Sequence, residues 1–298
     1  MISKPTDVQQ DQVRTLYKFM SYPVDGAAPA ENAERRRRAE ALLREGELYF
    51  ATARELNDPF EAAPHFQMPD MGKDDTIGVF SRALRDVYAP RWRWNEEQIL
   101  AAEATLREEI RSGKYETRIA ALEITWKDKF RSDYPMCCLA GTRDSTLMWS
   151  YYATGHTGIC VHLDATKAPF ANADRVIYSE RYPAFPLPVA YLEAAELHAM
   201  ALLTKSKVWS HENEYRVINM PMAMGRPNRV LDDIFKWQTS QLAVIPTTII
   251  IGVTLGAAMR DTEIETILRI CHDRSIRIPA FQAKCAKNRF NLEFASIR

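Results

Sequence analysis

Three helical patterns follow one another in the first half of this sequence, and segments with strand character lie on both sides of them. The patterns run through residues 75–88, 95–112 and 116–132. The second opens with Asn95 and two glutamates, which favours a helix start because asparagine caps the first turn and acids complement the helix dipole. The sequence therefore predicts an all-helical insertion over about residues 70–132.

The segments around this insertion mix strands and helices without a regular alternation. Strand character is clearest over 16–20 and 214–220, and a helix over 32–45 is expected to end at Gly46 in a left-handed cap. Because no strand–helix–strand repeat is visible, the prediction is an α+β fold with a mixed or split β-sheet and flanking helices. No linker rich in glycine and serine surrounds the insertion, so one domain over 1–298 is predicted.

The later part of the chain carries further predicted elements. A strand is predicted over 175–179, a helix over 190–207 and a strand buried on both faces over 248–253. Two strands, over 276–282 and 289–294, are expected to close the chain.

Composition excludes several classes of protein. The chain is 46% hydrophobic and 26% charged, which is ordinary for a globular protein with a sizeable core. Its 39 basic and 39 acidic residues cancel, which argues against a strongly basic binder of nucleic acid or membrane surfaces. Five cysteines without a CxxC pair do not suggest a disulfide framework. Since no signal-peptide or membrane-spanning pattern is found, we expect a cytoplasmic protein without a membrane partner.

The first unusual motif is NDPFE, residues 57–61. Asn57 and Asp58 are residues that bond their own backbone in turns, and Pro59 restricts the residue before it, so the loop is expected to be stiff. A stiff loop suits ligand binding, which makes Asn57, Asp58 and Phe60 candidate binding residues. The alternative is a structural turn with Phe60 inserted into the core.

The second motif, LMWSYYATGHTGICVHLD over 147–164, concentrates aromatic residues beside glycines. Trp149 and Tyr152 lie three residues apart and hence on one helical face, and His156 follows the expected helix end. Aromatic rings beside glycines can stack on a planar ligand ring, so these three residues are candidate binding residues. The alternative is that Trp149 and Tyr152 form a core face.

The third motif, KSKVWSHENEYRVI over 205–218, is the densest polar segment. Strand alternation places Glu214 and Arg216 on one face of the strand. A carboxylate beside a guanidinium can form an orienting pair or bind an anion and a hydroxyl together. Trp209 and Glu212 join the candidate site, and the alternative is a surface ion pair on an edge strand.

Other signals are weaker. The basic run over 35–38 has glutamates at helical spacing, and we interpret it as a solvated helix face. The six histidines form no HxH, HExxH or Cys/His cluster, so no metal site is predicted. The glycine-rich phosphate loops and the GxSxG nucleophile motif are absent from the sequence.

Taken together, the motifs resemble those of a known family. LYKF near the start, NDPFE some forty residues on, LMW-x-YY-x-x-x-HTG and W-x-x-E-x-EYR resemble the bacterial DUF2971 family. The resemblance covers residues 16–256 except 70–132. That family is named for its lack of an assigned function, and its members resemble proteins found near bacterial defence and toxin genes.

The layout also looks like that of ADP-ribosyltransferases, which hold NAD in the cleft of a split sheet. This resemblance implies that Glu214 holds the ribose and stabilises an oxocarbenium-like transition state, with Glu212 orienting the acceptor. It also implies that Trp149 or Tyr152 stacks on nicotinamide.

The first strand departs from the ADP-ribosyltransferase pattern. Tyr17 and Lys18 stand where those enzymes have an arginine or histidine, and the Ser-Thr-Ser motif is absent. On the same resemblance, Tyr17 and Lys18 are expected near the ligand's phosphates or ribose.

Three functions therefore stay open at this point. The first is an NAD-consuming transferase or glycohydrolase, with NAD as substrate and a protein or nucleic acid as acceptor. The second is a nucleic-acid-processing enzyme, either a nuclease or a base-modifying enzyme, with Asp58, Glu61, Glu212 and Glu214 as its acids, since paired carboxylates can hold Mg²⁺. The third is a non-enzymatic sensor that binds a small nucleotide ligand.

Overall fold

The computed structural model describes residues 13–219 and 235–297, which form the predicted α+β fold. These residues group into two compact units. The helical unit comprises Ala53–Tyr134 and Ile177–Lys207, and the sheet unit comprises the remaining described residues. The predicted helical insertion lies entirely within the helical unit.

The sheet unit contains an eight-stranded mixed sheet. In spatial order its strands are β15 (Leu292–Ile297), β14 (Ala280–Cys285), β13 (Ile250–Leu255), β5 (Ile159–Asp164), β1 (Thr15–Met20), β4 (Met136–Ala140), β10 (Glu214–Ile218) and β6 (Asp174–Arg175). Neighbouring strands are antiparallel except β13 and β14, which are parallel. A parallel pair needs a crossover connection, and helix α8 (Asp261–Asp273) lies in the chain between these two strands.

Helices cover the two faces of this sheet. Helix α1 (Pro29–Glu45) and α8 contribute Leu42 and Ile267 to the larger core, which includes the side chains of Leu16 and Val161. Helix α6 (Thr146–Tyr152) contributes Trp149 to a second core with Phe19. Because side chains alternate along β1, Leu16 and Phe19 mark opposite faces of the sheet, which we name the α1 face and the α6 face.

Helix α1 ends as the sequence predicts. Gly46 adopts φ 79°, and its backbone N–H bonds to carbonyl groups of the last turn. A Cβ atom at this position would collide with the carbonyl oxygen of Ile245, so glycine is required by both conformation and space. The chain then enters a three-stranded antiparallel sheet of β2 (Glu47–Tyr49), β12 (Leu242–Val244) and β11 (Lys236–Trp237).

The helical unit contains the three predicted helices and short parallel strand pairs. Its helices are α2 (Lys73–Ala83), α3 (Ala89–Trp92), α4 (Glu96–Ser112), α5 (Lys114–Ser132) and α7 (Ala194–Leu202), with a π-helical turn at Leu84–Tyr88. Strand β3 (His65–Gln67) pairs with β8 (Ala184–Pro186), and β7 (Ile177–Ser179) pairs with β9 (Thr204–Ser206). Asn95 forms the predicted cap of α4, as one half of a capping box.

Several predicted bounds are wrong. The helix over 190–207 is shorter, because the chain after α7 forms β9, in which buried Lys205 pairs with Glu61. The strand over 175–179 divides into β6 and β7, which belong to different sheets. Strand β13 is buried on both faces from Gly252 to Leu255, as predicted, and Ile251 near its start is 37% exposed.

Two further predicted strands are displaced. The closing strands over 276–282 and 289–294 begin later than predicted, as β14 and β15. Residue 220, the predicted end of the strand that became β10, lies outside the described residues.

Candidate functional site

Strands β1 and β4 separate inside the eight-stranded sheet. Within the described residues their ladder contains one pair, Tyr17 with Ala140, whereas β1 and β5 are paired continuously from Thr15 to Met20. Beyond that pair, the Lys18 side chain bridges the strands by donating from Nζ to the Cys138 carbonyl oxygen at 3.0 Å. Because neighbouring strands normally continue their backbone ladder, this is a split in the sheet.

A cavity of about 690 Å³ lies beside residues 18–21, the part of the chain after Tyr17 that is not paired with β4. Its lining includes the side chains of Lys18, Arg35, Arg38, Tyr49, Tyr152 and Gln241. Small-molecule sites in proteins have volumes of roughly 300–1,000 Å³ and combine aromatic side chains with a few polar groups. We name this feature the split cavity.

Most charges around the split cavity are paired along helix α1. Arg35 bonds to Glu31 at 2.5 Å, and Glu34 accepts hydrogen bonds from Arg37 at 2.9 Å and Arg38 at 2.6 Å. These hydrogen bonds from Arg37 and Arg38 lower the pKa of Glu34 to about 2. The basic run is therefore a helix surface with internal ion pairs, as interpreted, but it also forms one wall of the cavity.

Two cationic groups in the split cavity lack a full set of partners. Lys18 pairs with no carboxylate within the described residues; its ammonium group bonds to the Cys138 carbonyl. Nη1 of Arg35 is buried and has no hydrogen-bond partner among the described residues. A buried donor without an acceptor is unfavourable, so these two groups favour an anionic ligand.

Tyr152 connects the split cavity to one of the predicted carboxylates. Its hydroxyl donates to Oε1 of Glu212 at 2.6 Å, and Glu212 is only 2% exposed. Glu212 ends a 3₁₀ turn, and the next residue, Asn213, has φ 43°. Tyr152 therefore links the cavity to a buried carboxylate that is not itself part of the lining.

Tyr49 supplies a second aromatic ring to the split cavity. The guanidinium carbon of Arg38 lies over this ring, 5.2 Å from its centroid. The cavity lining thus contains an aromatic–cation pair in addition to Tyr152.

Glu214 and Arg216 share a face of β10, as predicted, and bind each other. Nε and Nη2 of Arg216 donate to the two carboxylate oxygens of Glu214 at 2.8 Å and 3.0 Å. Both residues are buried, and β10 lies between β4 and β6, so this is not a surface ion pair on an edge strand. Burial, together with the Glu214 charge, raises the pKa of the Cys138 thiol. Glu214 is thus a carboxylate that already has donors on both oxygens.

Tyr17 and Lys18 point to opposite faces of the sheet. Successive strand residues alternate, and Tyr17 is in register with Ala140, which is in register with Glu214, so Tyr17 and Glu214 share the α6 face. Lys18 therefore lies on the α1 face and lines the split cavity. Of the two residues, the structure places only Lys18 in the lining of the split cavity, and Tyr17 is not among the lining residues.

The aromatic residues of the second motif divide between core and site. Trp149 has no exposed surface; its indole N–H donates to the Arg143 carbonyl oxygen at 2.7 Å, and its ring packs edge-on against Phe19. It occupies the core, which was the alternative interpretation, and presents no open face for a ligand ring.

His156 and Trp209 have local partners. His156 has φ 68°, lies 3.3 Å from the Ser150 hydroxyl through Nε2, and has its pKa lowered by burial. Trp209 packs with the rings of Tyr151 and His211. Neither residue is among those that line the split cavity.

The NDPFE motif belongs to the helical unit. Asp58 is buried and accepts a hydrogen bond from the backbone N–H of Phe60 at 2.9 Å, which is the predicted stiff turn. Glu61 forms a buried ion pair with Lys205 at 3.1 Å. Asn57 is exposed, and Phe60 is 64% exposed, so the alternative in which Phe60 fills the core is wrong.

Arg35, Tyr49 and Gln241 line the split cavity but were not among the residues predicted from the sequence. Their helical spacing and strand pattern are those of ordinary surface positions, and no local signal marks them. Lys18 and Tyr152 were found because they lie in motifs.

The part of the chain that the structure describes contains no group of three or more His, Cys, Asp or Glu residues placed to hold a metal ion. Within residues 13–219 and 235–297, no helix is long and apolar enough to cross a membrane. No known protein family, curated protein or solved structure matches this chain. The resemblance to the DUF2971 family thus stays a prediction from the motifs.

Proposed function

We propose that this protein binds a nucleotide in the split cavity and that NAD is the ligand it consumes. The observation that carries the proposal is the unneutralised Lys18 ammonium group in a cavity that also contains aromatic rings. A nucleotide combines anionic phosphates with planar rings, and these are the two features that such a lining complements.

The phosphates would lie near Lys18 and Arg35. Both groups have donors that the described residues do not fully satisfy, and arginine and lysine are the usual phosphate ligands. Tyr49 and Tyr152 would contact the rings of the ligand, because an aromatic face stacks on any base.

We assign Glu212 as the carboxylate that helps to stabilise positive charge during the reaction. In NAD hydrolysis the bond between ribose C1′ and the nicotinamide nitrogen breaks, and nicotinamide leaves with the bonding electrons. A water oxygen then bonds to C1′ and one proton is released. The positive charge that develops on the ribose would face the hydroxyl oxygen of Tyr152, which becomes more electron-rich because its proton is donated to Glu212. Glu212 would thus act through Tyr152. Both oxygens of Glu214 accept hydrogen bonds from Arg216, so we assign Glu214 no part in the reaction.

Nicotinamide release tests this proposal. Purified protein is incubated with NAD, and nicotinamide and ADP-ribose are quantified by chromatography. We expect release that is lost in Lys18→Met and reduced at least tenfold in Tyr152→Phe. The matched controls are Lys167→Met, an exposed lysine of the same unit, and Tyr151→Phe, an exposed tyrosine of the same helix, and both should retain activity.

A second candidate function is binding without turnover, as in a sensor. The observation that favours it is that Glu214 is neutralised and that Glu212 is buried. In that case ADP-ribose and NAD raise the melting temperature of the wild-type protein but not of Lys18→Met, and no nicotinamide appears. If neither ligand changes the melting temperature and no nicotinamide is released, both functions are wrong.

A further inference from the structure

Arg143 is held in a fixed position on the α6 face of the sheet. Its guanidinium carbon lies 4.7 Å from the ring centroid of Phe281 and 4.3 Å from that of Phe294, over both rings. Its Nη1 donates to the hydroxyl of Thr254, a fully buried residue of β13, at 3.2 Å. Two ring contacts and one hydrogen bond restrict the side chain, so little conformational entropy would be lost on binding.

The surroundings of Arg143 are packed rather than loose. His162 bonds to the same Thr254 hydroxyl at 2.8 Å, and its ring lies between those of Tyr17 and Phe281, at 5.1 Å and 5.7 Å. Gly252 faces His162 closely; a Cβ atom there would come within 2.8 Å of the imidazole Nδ1. The cluster is thus a rigid scaffold for the guanidinium.

The positive charge of Arg143 is not neutralised by the protein. No carboxylate pairs with it within the described residues, and Nη1 is its one hydrogen-bonding nitrogen there. The adjacent carboxylate, Asp144, accepts from Thr142 instead. Most arginines of helix α1 form ion pairs, so Arg143 differs from them. A half-buried guanidinium without a counter-charge favours an anion from solution.

The Tyr17 hydroxyl is a second group without a partner. Tyr17 is half-buried, and its hydroxyl makes no hydrogen bond to the described residues. Burial raises its pKa, and the nearby Arg143 charge opposes that rise. A neutral hydroxyl near a free guanidinium edge can donate to the same acceptor.

We infer that Arg143 and Tyr17 form a second ligand site, which takes the oxyanion group of a small molecule, either a phosphate or a carboxylate. The free guanidinium edge supplies parallel N–H donors, which suit either oxyanion, and Tyr17 adds a third donor. The site lies on the α6 face, opposite the face on which Lys18 lies, and does not rest on the proposed nucleotide function.

Calorimetric titration with inorganic phosphate and with acetate tests the site and distinguishes the two oxyanions. The titrations use Lys18→Met protein, which removes the cation of the split cavity, at pH 7 and constant ionic strength. We expect saturable binding of at least one anion. Adding Arg143→Met should weaken that binding at least tenfold, and adding Tyr17→Phe should weaken it about threefold.

The conservative and control variants keep the test decisive. Arg143→Lys retains the charge but lacks the planar fork, so it should bind more weakly than the parent and more tightly than Arg143→Met. Arg269→Met, an exposed arginine of α8, should bind as the parent does. Should Arg143→Met fail to fold by circular dichroism, Arg143→Lys and Tyr17→Phe decide the matter. Equal affinity in all variants, or no saturable binding of either anion, would overturn the inference.

Discussion

Lys18 on β1 and Arg216 on β10 are basic side chains of the same sheet, but they have different partners. Arg216 is fully buried and binds both carboxylate oxygens of Glu214. Lys18 is half-buried, bonds to the Cys138 carbonyl oxygen and lines an open cavity. The charge of Arg216 is thus neutralised within the fold, whereas the charge of Lys18 remains at a surface that a ligand can reach.

The partners of a basic side chain therefore separate a structural charge from one that is available to a ligand. A buried ion pair with two parallel hydrogen bonds is explained by the packing of the sheet, and removing one member leaves the other desolvated. A cation whose hydrogen-bond partner is a neutral carbonyl at the edge of a cavity contributes less to stability, and its charge is available to an anionic ligand. In the sequence, Lys18 and Arg216 both lie in motifs with candidate binding residues, and no local signal separates them.

Of the replacements considered, that of Arg216 should lower the free energy of unfolding most. Arg216→Met removes the partner of buried Glu214, and we expect a loss of about 3–5 kcal/mol in the free energy of unfolding. Urea unfolding followed by circular dichroism measures it. The double variant Glu214→Gln/Arg216→Met should be more stable than the single variant. A loss as small as that of the exposed Arg269→Met would contradict a structural role for the pair.

His162 extends the comparison to a buried group that is uncharged. Burial, and secondarily the Arg143 charge, lower its pKa to about 3. The unfolded chain takes up a proton near pH 6.5 and the folded chain does not until about pH 3, so stability falls as the pH falls between these values. From pH 7 to pH 5 the expected loss from this group is about 2 kcal/mol.

Urea unfolding of His162→Gln at pH 7 and pH 5 isolates this contribution. The variant should lose about 2 kcal/mol less than the wild type over that interval, whatever its absolute stability. His272→Gln, which replaces an exposed histidine, should follow the wild type. Parallel pH dependence in the wild type and His162→Gln would show that His162 titrates normally in the folded protein.

Replacing Lys18 should give the smallest change in stability and the clearest contrast with Arg216. Lys18→Met loses one hydrogen bond and also removes a half-buried charge, so we expect a net change below about 1 kcal/mol. Urea unfolding measures it beside Lys167→Met. A loss as large as that of Arg216→Met would show that Lys18 is part of the structural scaffold.

Local signals account for the parts of the fold that were predicted correctly. The Gly46 cap of α1, the Asn95 cap of α4 and the shared face of Glu214 and Arg216 all follow from residues within a few positions of one another. The end of the helix over 190–207 was predicted wrongly because its last residues pair with distant segments: β9 bonds to β7, and Lys205 pairs with Glu61. Helical propensity carries no information about such partners.

The candidate site was predicted only in part, for a similar reason. Tyr152 was selected for its ring, but its hydrogen bond to Glu212 depends on the fold. Arg143 lies beside the second motif, yet the rings of Phe281 and Phe294 that hold it come from the end of the chain. Trp149 was selected as a stacking residue for its ring, but it is a core residue because the fold packs it against Phe19, Ala140 and Cys160.

The α+β class, the helical insertion and the alternation of side chains along each strand could be predicted because they depend on periodicity and capping over a short stretch of chain. The separation of β1 from β4 and the pairing of Glu214 with Arg216 could not be predicted in this way. The same holds for Lys18 and Arg143, which pair with no carboxylate among the described residues. Whether a charge is satisfied depends on which distant groups packing brings within about 3 Å of it, and no local pattern encodes that distance.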